Sequence, residues 1–179
     1  MCKFRSAVAI KDGDTVKLMM LPGEDSHEKI RTHYNIRDGE GASASRQTPV
    51  EYYPTRTLKS WDGWILEFDA DRPDWWTDAM TESATHQFQS DITPIIASGF
   101  DGWTGYLDLR SVTSIDGVTF GAIGGYIDLH NVTSIDGVTF GAIGGYLNLH
   151  NVTSIDAKQH RKVKGRIYLK NKTIEAPCS

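Results

Sequence analysis

The chain has 179 residues, of which 39% are hydrophobic and 23% charged, and its formal net charge at pH 7 is −4. This composition excludes wholesale disorder and predicts one average domain or two small ones. The charge is too mild for a dedicated duplex-DNA binder, and no apolar run reaches the roughly 18 residues of a membrane helix. Because the start lacks a signal-peptide pattern and Cys2 and Cys178 lie at opposite ends, we expect a protein of a reducing cytoplasm.

The first 90 or so residues alternate short apolar runs with turn and cap signals. Two β-rich runs, Phe4 to Ile10 and Thr15 to Leu21, flank a Lys-Asp-Gly-Asp turn and predict a hairpin. Asp25 or Ser26 can cap a helix that continues to about Tyr34. The pattern then predicts a loop over residues 38–48, a strand over residues 61–69 and a helix from Pro73 to about Phe88. We therefore expect an α+β domain over residues 1–91.

The rest of the chain is an internal repeat with a period of 20 residues. The pattern Gly-Tyr-(Leu/Ile)-(Asp/Asn)-Leu occurs at 105–109, 125–129 and 145–149, and a degraded copy occurs at 165–169. Alternating apolar residues in each copy predict a short strand with one buried face, and stacked copies can share a continuous core. We predict that residues 92–179 form a short parallel β-solenoid of 20-residue coils. It is either leucine-rich-repeat-like or a β-helix, and it ends in a basic capping coil.

Cys2 is the most distinctive candidate for catalysis. Removal of Met1 would make Cys2 the N-terminal residue, and its α-amine could then activate the thiol, as in N-terminal-nucleophile hydrolases. His27 and Arg56 are the candidates for its catalytic neighbours. The alternative is that Cys2 has no catalytic role and that Asp25-Ser26-His27 is a helix cap with a solvated imidazole.

Four of the five tryptophans lie between Trp61 and Trp76, interleaved with acidic residues that include Asp69. Aromatic rings beside carboxylates can form a cation- or sugar-binding cleft. The favoured interpretation is that these rings form the core of the α+β domain. The sequence has no phosphate loop, zinc spacing or dinucleotide fingerprint, so no metal site and no cofactor are predicted.

Polar residues at outward positions of the repeats are the candidates for binding. One column of the predicted solenoid carries basic residues, and residues 157–179 contain seven basic residues and one acidic residue. The candidate binding residues are Arg110, His130, His150, Lys170, Arg161, Lys162 and Lys164. This surface is predicted to bind a host protein or a protein–nucleic-acid complex, with weak nucleic-acid contact through the basic tail. The alternative is that these charges only prevent end-to-end stacking of solenoids.

Three motifs within residues 1–80 carry a resemblance to a known group: Met1-Cys2-Lys3-Phe4, Asp25-Ser26-His27, and Trp64-x-x-x-Phe68-x-x-Asp71-x-Pro73-Asp74-Trp75. They are similar to motifs of small phage and prophage proteins of unassigned function that begin MCKF and often end in short tandem repeats. The resemblance implies a phage-encoded accessory protein in the cytoplasm of a bacterial host, and it implies no activity. We hypothesise that the protein binds and inhibits a host defence or regulatory complex. The alternative is a cysteine amidohydrolase of the N-terminal-nucleophile kind.

Overall fold

The computed structural model describes residues 4–23, 26–37 and 46–175, and it is a mixed α+β structure with more strands than helices. The chain divides into two compact units. The first unit comprises Met1–Tyr53 and Ile65–Thr93, and the second comprises Pro54–Trp64 and Pro94–Ser179. Segment 54–64 thus belongs with the repeats, whereas the sequence pattern assigned it to the first domain. Within the described ranges, no helix combines the length and the apolar character needed to cross a membrane.

The first unit contains a four-stranded sheet. Its strands, in spatial order, are β2 (Thr15–Met19), β1 (Arg5–Asp12), β3 (Gln47–Pro54) and β4 (Trp64–Phe68). Strands β1 and β2 form the predicted antiparallel hairpin, with Gly13 at a φ of 59° in the turn. Strand β3 was not predicted, because its prolines and polar neighbours resemble a loop. It pairs antiparallel with β1 and sets Ser6 opposite Glu51.

The first helix, α1 (His27–His33), begins at the predicted cap. The Ser26 side chain accepts a hydrogen bond of 3.3 Å from the Lys29 backbone N–H, which satisfies one of the open donors of the first turn. The other candidate cap, Asp25, lies outside the described residues. So do residues 38–45 of the predicted loop, while Gln47 and Thr48 belong to β3 rather than to a loop.

The second helix, α2 (Asp78–Ala97), begins and ends later than predicted. The Thr77 hydroxyl accepts a hydrogen bond from the Met80 backbone N–H, so the helix starts after Thr77 rather than at Pro73. Residues at four-residue intervals, Met80, Ala84, Phe88 and Ile92, are buried on one helix face. Phe88 stacks on Tyr52 of β3 with ring centroids 5.4 Å apart, so this face packs on the sheet.

The second unit is built around parallel strands that repeat every 20 residues. The strands are β5 (Leu107–Asp108), β7 (Ile127–Asp128), β9 (Leu147–Leu149) and β10 (Ile167–Leu169), and β11 (Lys172–Ile174) pairs antiparallel with β10. Neighbouring parallel strands are in register, with Leu107 opposite Ile127, Ile127 opposite Leu147 and Leu147 opposite Ile167. All four of these side chains are fully buried. The predicted parallel, in-register strands are therefore confirmed.

A second parallel pair, β6 (Thr119–Phe120) and β8 (Thr139–Phe140), adds a column of aromatic side chains. The rings of Phe100, Phe120 and Phe140 are stacked, with centroids 5.7 and 5.3 Å apart. The copies approach so closely that a Cβ atom on Gly125 would overlap the carbonyl oxygen of Gly105. Only glycine fits at such a point.

The last copy departs from the repeat where its sequence does. A short helix, α3 (Ala157–His160), takes the place of a further strand beside β8. The side chain of Gln159 accepts a hydrogen bond from Phe140 N (2.8 Å) and donates one to Val138 O (2.6 Å), so it satisfies backbone groups at the edge of β8. An exposed strand edge can pair with a strand of another chain, and Gln159 caps the edge of β8 against such pairing.

Candidate functional site

The first unit contains a cleft of about 580 Å³. Side chains of α1 and of the residues after it form one wall, and Pro49 and Asp69 lie on the other. Asp69 directly follows β4, and its backbone N–H donates to Pro49 O at 3.3 Å, which holds it beside β3. The ionisable lining residues are His27, Glu28, Arg31, Arg37 and Asp69.

His27, the first residue of α1, is held by both nitrogens of its ring. Nε2 lies 3.2 Å from the carbonyl oxygen of Val50, and Nδ1 lies 2.8 Å from Asp69 Oδ2. A carbonyl oxygen only accepts hydrogen bonds, so Nε2 must carry a proton and donate it. A carboxylate oxygen also only accepts hydrogen bonds, so the Nδ1–Asp69 contact needs either a proton shared by the two atoms or a metal ion that both of them bind.

Glu51 of β3 completes a set of three polar side chains. Glu51 is 5% exposed. Each of the three residues has one potential ligand atom, and these atoms lie within 4.8 Å of one another. These three residues are the part of the described chain whose donor atoms could hold a metal ion.

The second unit carries three aligned columns on the outward face of its parallel sheet. We define this outward face by the stacked tyrosines Tyr106, Tyr126 and Tyr146, the acid and amide column Asp108, Asp128 and Asn148, and the basic column Arg110, His130, His150 and Lys170. Tyrosine centroids are 5.2 and 4.3 Å apart along the stack, with nearly parallel rings. Burial raises the pKa of Tyr146 to about 12, and the neighbouring Tyr126 adds to this effect.

The acid and amide column is internally paired. Asn148 donates to Asp128 Oδ1 at 2.9 Å, and Arg110 forms a fork with Asp108, its Nη2 lying 2.6 Å from Oδ2. Burial raises the pKa of Asp128, while the hydrogen bond from the His130 backbone N–H lowers it and the nearby Asp108 carboxylate raises it further. The charge of Arg110 is thus largely compensated within the outward face.

The other residues of the basic column and the C-terminal basic residues are mostly exposed. The rings of His130 and His150 are stacked, with centroids 4.8 Å apart and planes at 7°. Lys170, Arg161 and Lys164 are exposed. Lys162 is also exposed, although its Nζ donates to Phe140 O at 2.8 Å.

Of the three predicted catalytic residues, the structure describes His27 and Arg56, and it assigns them to different units. Cys2 lies outside the described residues, and His27 is on the wall of the cleft. Arg56 belongs to the second unit, where its exposed guanidinium lies 3.1 Å from Asp62 and its carbonyl oxygen accepts hydrogen bonds from the Thr113 and Ser114 backbone N–H groups.

The tryptophan and acid stretch serves more than one role. Trp76 is buried, and it contacts Phe68 edge-on and donates to Thr81 Oγ1 at 2.8 Å, in agreement with a core role. Trp61, in contrast, is 37% exposed. Asp69 of the same stretch reaches the cleft, where it pairs with His27.

Glu51 was not singled out from the sequence, and Asp69 was considered only with the tryptophans. One local signal existed for Glu51, because it is a charged residue inside the otherwise apolar run Val-Glu-Tyr-Tyr. A charge inside an apolar strand is either at an edge or paired. The partner could not be identified, because His27 and Asp69 are distant in sequence and β3 itself was not predicted.

Comparisons with known proteins add no relative: no family model, curated protein or solved structure matches this chain.

Proposed function

We propose that the second unit is a short parallel β-solenoid and that the protein acts by binding a macromolecule through the outward face. The observation that carries this proposal is the alignment of three side-chain columns at strand spacing. Neighbouring columns combine aromatic rings, carboxylates, an amide and imidazoles on one sheet. Tyrosine and arginine are the residue types that most often dominate binding energy in protein interfaces.

The rigidity of the repeats favours binding. Each tyrosine of the outward face is followed by a buried side chain, such as Leu107 after Tyr106, and it stacks on a tyrosine of a neighbouring copy. Side chains that are already ordered lose less conformational entropy on association. A partner can therefore be bound without reorganisation of this surface.

The charges indicate how the partner is contacted. Because Arg110 is paired with Asp108, the basic column contributes less net positive charge than the sequence alone indicates. We expect aromatic and hydrogen-bonding contacts to dominate at the outward face. Acidic groups of the partner would be contacted by the exposed Lys170, Arg161 and Lys164, and salt would weaken only this part of the binding.

The proposed biological role is based on the resemblance of residues 1–80 to phage and prophage proteins. We infer a phage-encoded accessory protein that binds and inhibits a defence or regulatory complex in the bacterial cytoplasm. A partner that consists of protein and nucleic acid would suit the two kinds of surface, namely the aromatic columns and the basic C-terminal residues.

The proposal is tested by capture from a bacterial host extract with quantitative mass spectrometry. The full chain is compared with the double variant His150→Glu/Lys170→Glu, which changes exposed positions of the outward face. The matched control is Thr133→Glu/Thr153→Glu, which adds two charges at exposed positions elsewhere in the repeats. We expect one host complex to be retained by the wild type and the control, and depleted at least about tenfold with the face variant. Equal retention by both variants would contradict the proposal.

The amidohydrolase alternative is supported by one observation, the His27–Asp69 pair on the wall of a cleft. It requires that Cys2 be the free N-terminus, because the α-amine is its general base. Intact mass and iodoacetamide labelling of purified protein test this requirement. Retention of Met1, or full biological activity of the Cys2→Ala variant, would eliminate this alternative.

A further inference from the structure

A cluster of side chains at the cleft of the first unit is not used by the proposed macromolecular binding; His27 and Asp69 line the cleft, and Glu51 lies beside them. Donor atoms of His27, Glu51 and Asp69 lie within 4.8 Å of one another. A first-row divalent ion holds its nitrogen and oxygen ligands at about 2.0–2.2 Å, so ligands around one ion are roughly 3–4 Å apart. The three side chains need only small adjustments to reach this geometry.

The hydrogen bonding of His27 selects the ring nitrogen that would bind the ion. Nε2 donates to the Val50 carbonyl oxygen, and Nδ1 faces Asp69 Oδ2 at 2.8 Å. A histidine that binds a metal usually donates its other ring N–H to a carbonyl or a carboxylate, which fixes the tautomer and the orientation of the ring. Val50 performs this role here, which leaves Nδ1, beside the Asp69 carboxylate, as the ring nitrogen that would bind the ion.

Ser6 provides an independent observation beside Glu51. It is fully buried, and its Oγ has no hydrogen-bond partner among the described residues. Ser6 and Glu51 are directly opposite each other on β1 and β3, so their side chains are on the same face of the sheet. A buried polar atom without a partner requires an explanation, and an ion or an ion-bound water beside Glu51 supplies one.

We propose that His27, Glu51 and Asp69 bind a divalent transition-metal ion of the Mn²⁺ or Zn²⁺ kind. One imidazole and two carboxylates form a mixed nitrogen and oxygen ligand set, which suits these ions better than it suits Cu⁺ or Ca²⁺. Asp69 is 41% exposed and lines the cleft, so the ion can enter from solvent and coordinate water there.

The experiment is isothermal titration of the metal-stripped full chain with MnCl₂ and, separately, with ZnCl₂. We expect one ion per chain and a loss of affinity of at least about tenfold in Asp69→Asn and in Glu51→Gln. The matched control is Asp71→Asn, an exposed acid two residues from Asp69, which is expected to bind as the wild type does. Circular dichroism establishes that each variant is folded.

Two further measurements locate the ion. Mn²⁺ is paramagnetic, so its binding should broaden the ring signals of His27 and leave those of the exposed His86 unchanged. The Cys2→Ser/Cys178→Ser variant should still bind, because the proposed ligands include no thiol. The proposal is overturned if neither ion binds at one per chain, if Asp71→Asn loses as much affinity as Asp69→Asn, or if binding disappears with the cysteines.

Discussion

Arg5 in the first unit and Asn131 in the second both donate to backbone carbonyl groups, but in different ways. Arg5 is 1% exposed, and its guanidinium contacts Asp91 Oδ2 at 2.6 Å and the carbonyl oxygen of Leu21 at 2.5 Å. Arg72 of the same unit also donates to a carbonyl oxygen, that of Trp76, and to the Asp78 carboxylate, but its side chain is 47% exposed. Asn131 donates to Arg110 O at 2.7 Å, and Asn151 makes the same bond to His130 O at 2.8 Å, 20 residues later.

This difference determines how each unit responds to substitution. In the first unit, the contacts of a residue such as Arg5 do not recur at a fixed spacing in the sequence, so no neighbouring copy offers an equivalent contact. In the second unit, each residue has equivalents in the neighbouring copies, and the same change can be compared at the centre and at the end of the stack. The following predictions test this comparison.

The largest effect is expected for Ile127→Asp at the centre of the repeats. Ile127 is fully buried between Leu107 and Leu147, so the substitution places an unpaired carboxylate in the core. We expect a loss of roughly 5 kcal/mol in the free energy of unfolding, measured by urea denaturation. The exposed control Thr139→Asp should change stability by less than about 0.5 kcal/mol. A small loss for Ile127→Asp would mean that the copies do not share a continuous core.

The next effect is expected for Arg5→Ala in the first unit. The change removes the partner of Asp91 and of the Leu21 carbonyl oxygen. We expect a loss of about 3 kcal/mol, because a buried guanidinium is removed together with its hydrogen bonds, and the half-buried Asp91 loses its counter-charge. Asp91→Asn retains a hydrogen-bond acceptor but leaves the buried guanidinium without its counter-charge, so its loss should be somewhat smaller, about 2 kcal/mol. Equal losses in the two variants would show that the hydrogen bonds of Arg5 contribute little and that the charge of the pair dominates.

The fold of the second unit was more predictable than that of the first, for a physical reason. Copies at 105–109, 125–129 and 145–149 repeat both the strand pattern and the glycines, so the sequence alone predicts which strands are neighbours and in which register. In the first unit, β3 could not be predicted, because it contains Pro49 and is stabilised by pairing with β1 rather than by its own propensity.

The candidate site in the cleft was less predictable for a related reason. Ser26 and His27 were recognised as a helix start, which is a local signal. The contact of His27 with Asp69 depends on how α1 and the end of β4 come together, and no short sequence pattern encodes that arrangement. The outward columns of the second unit, in contrast, could be predicted from the period of the repeat.

A loss of stability smaller than that of Arg5→Ala is expected for Gly144→Ala. A Cβ atom at this position would overlap the carbonyl oxygen of Gly124 in the preceding copy. We expect a loss of about 2 kcal/mol, since the backbones of two copies must separate. Gly124→Ala is the matched comparison, because its Cβ would lie 3.0 Å from the Thr104 carbonyl oxygen at the start of the repeats. The thermal midpoint should fall less for Gly124→Ala, and the reverse order would show that the first copy is the more constrained.

The smallest effect, and the one most specific to repetition, is expected for Asp128→Asn. The next copy already has an amide here, Asn148, whose Nδ2 donates to Asp128 Oδ1; an asparagine at 128 keeps that acceptor. Burial raises the pKa of Asp128 above the ordinary value of 3.8, and the like charge of Asp108 adds to this. The folded state therefore binds a proton more readily than the unfolded state. The contribution of Asp128 to stability falls as the pH rises from the ordinary pKa of 3.8 through the raised pKa of the folded state.

At pH 7 the substitution should accordingly stabilise the protein by about 0.5 kcal/mol, the order of a like-charge pair on adjacent strands. The gain should shrink towards zero at about pH 4 and below, where Asp128 is increasingly protonated. Urea denaturation at both pH values measures the difference. The opposing contribution is the attraction of Arg110, whose Nε lies 3.9 Å from Asp128 Oδ2. If that attraction outweighs the burial of the carboxylate, Asp128→Asn will destabilise the protein at pH 7, and the loss will disappear on acidification.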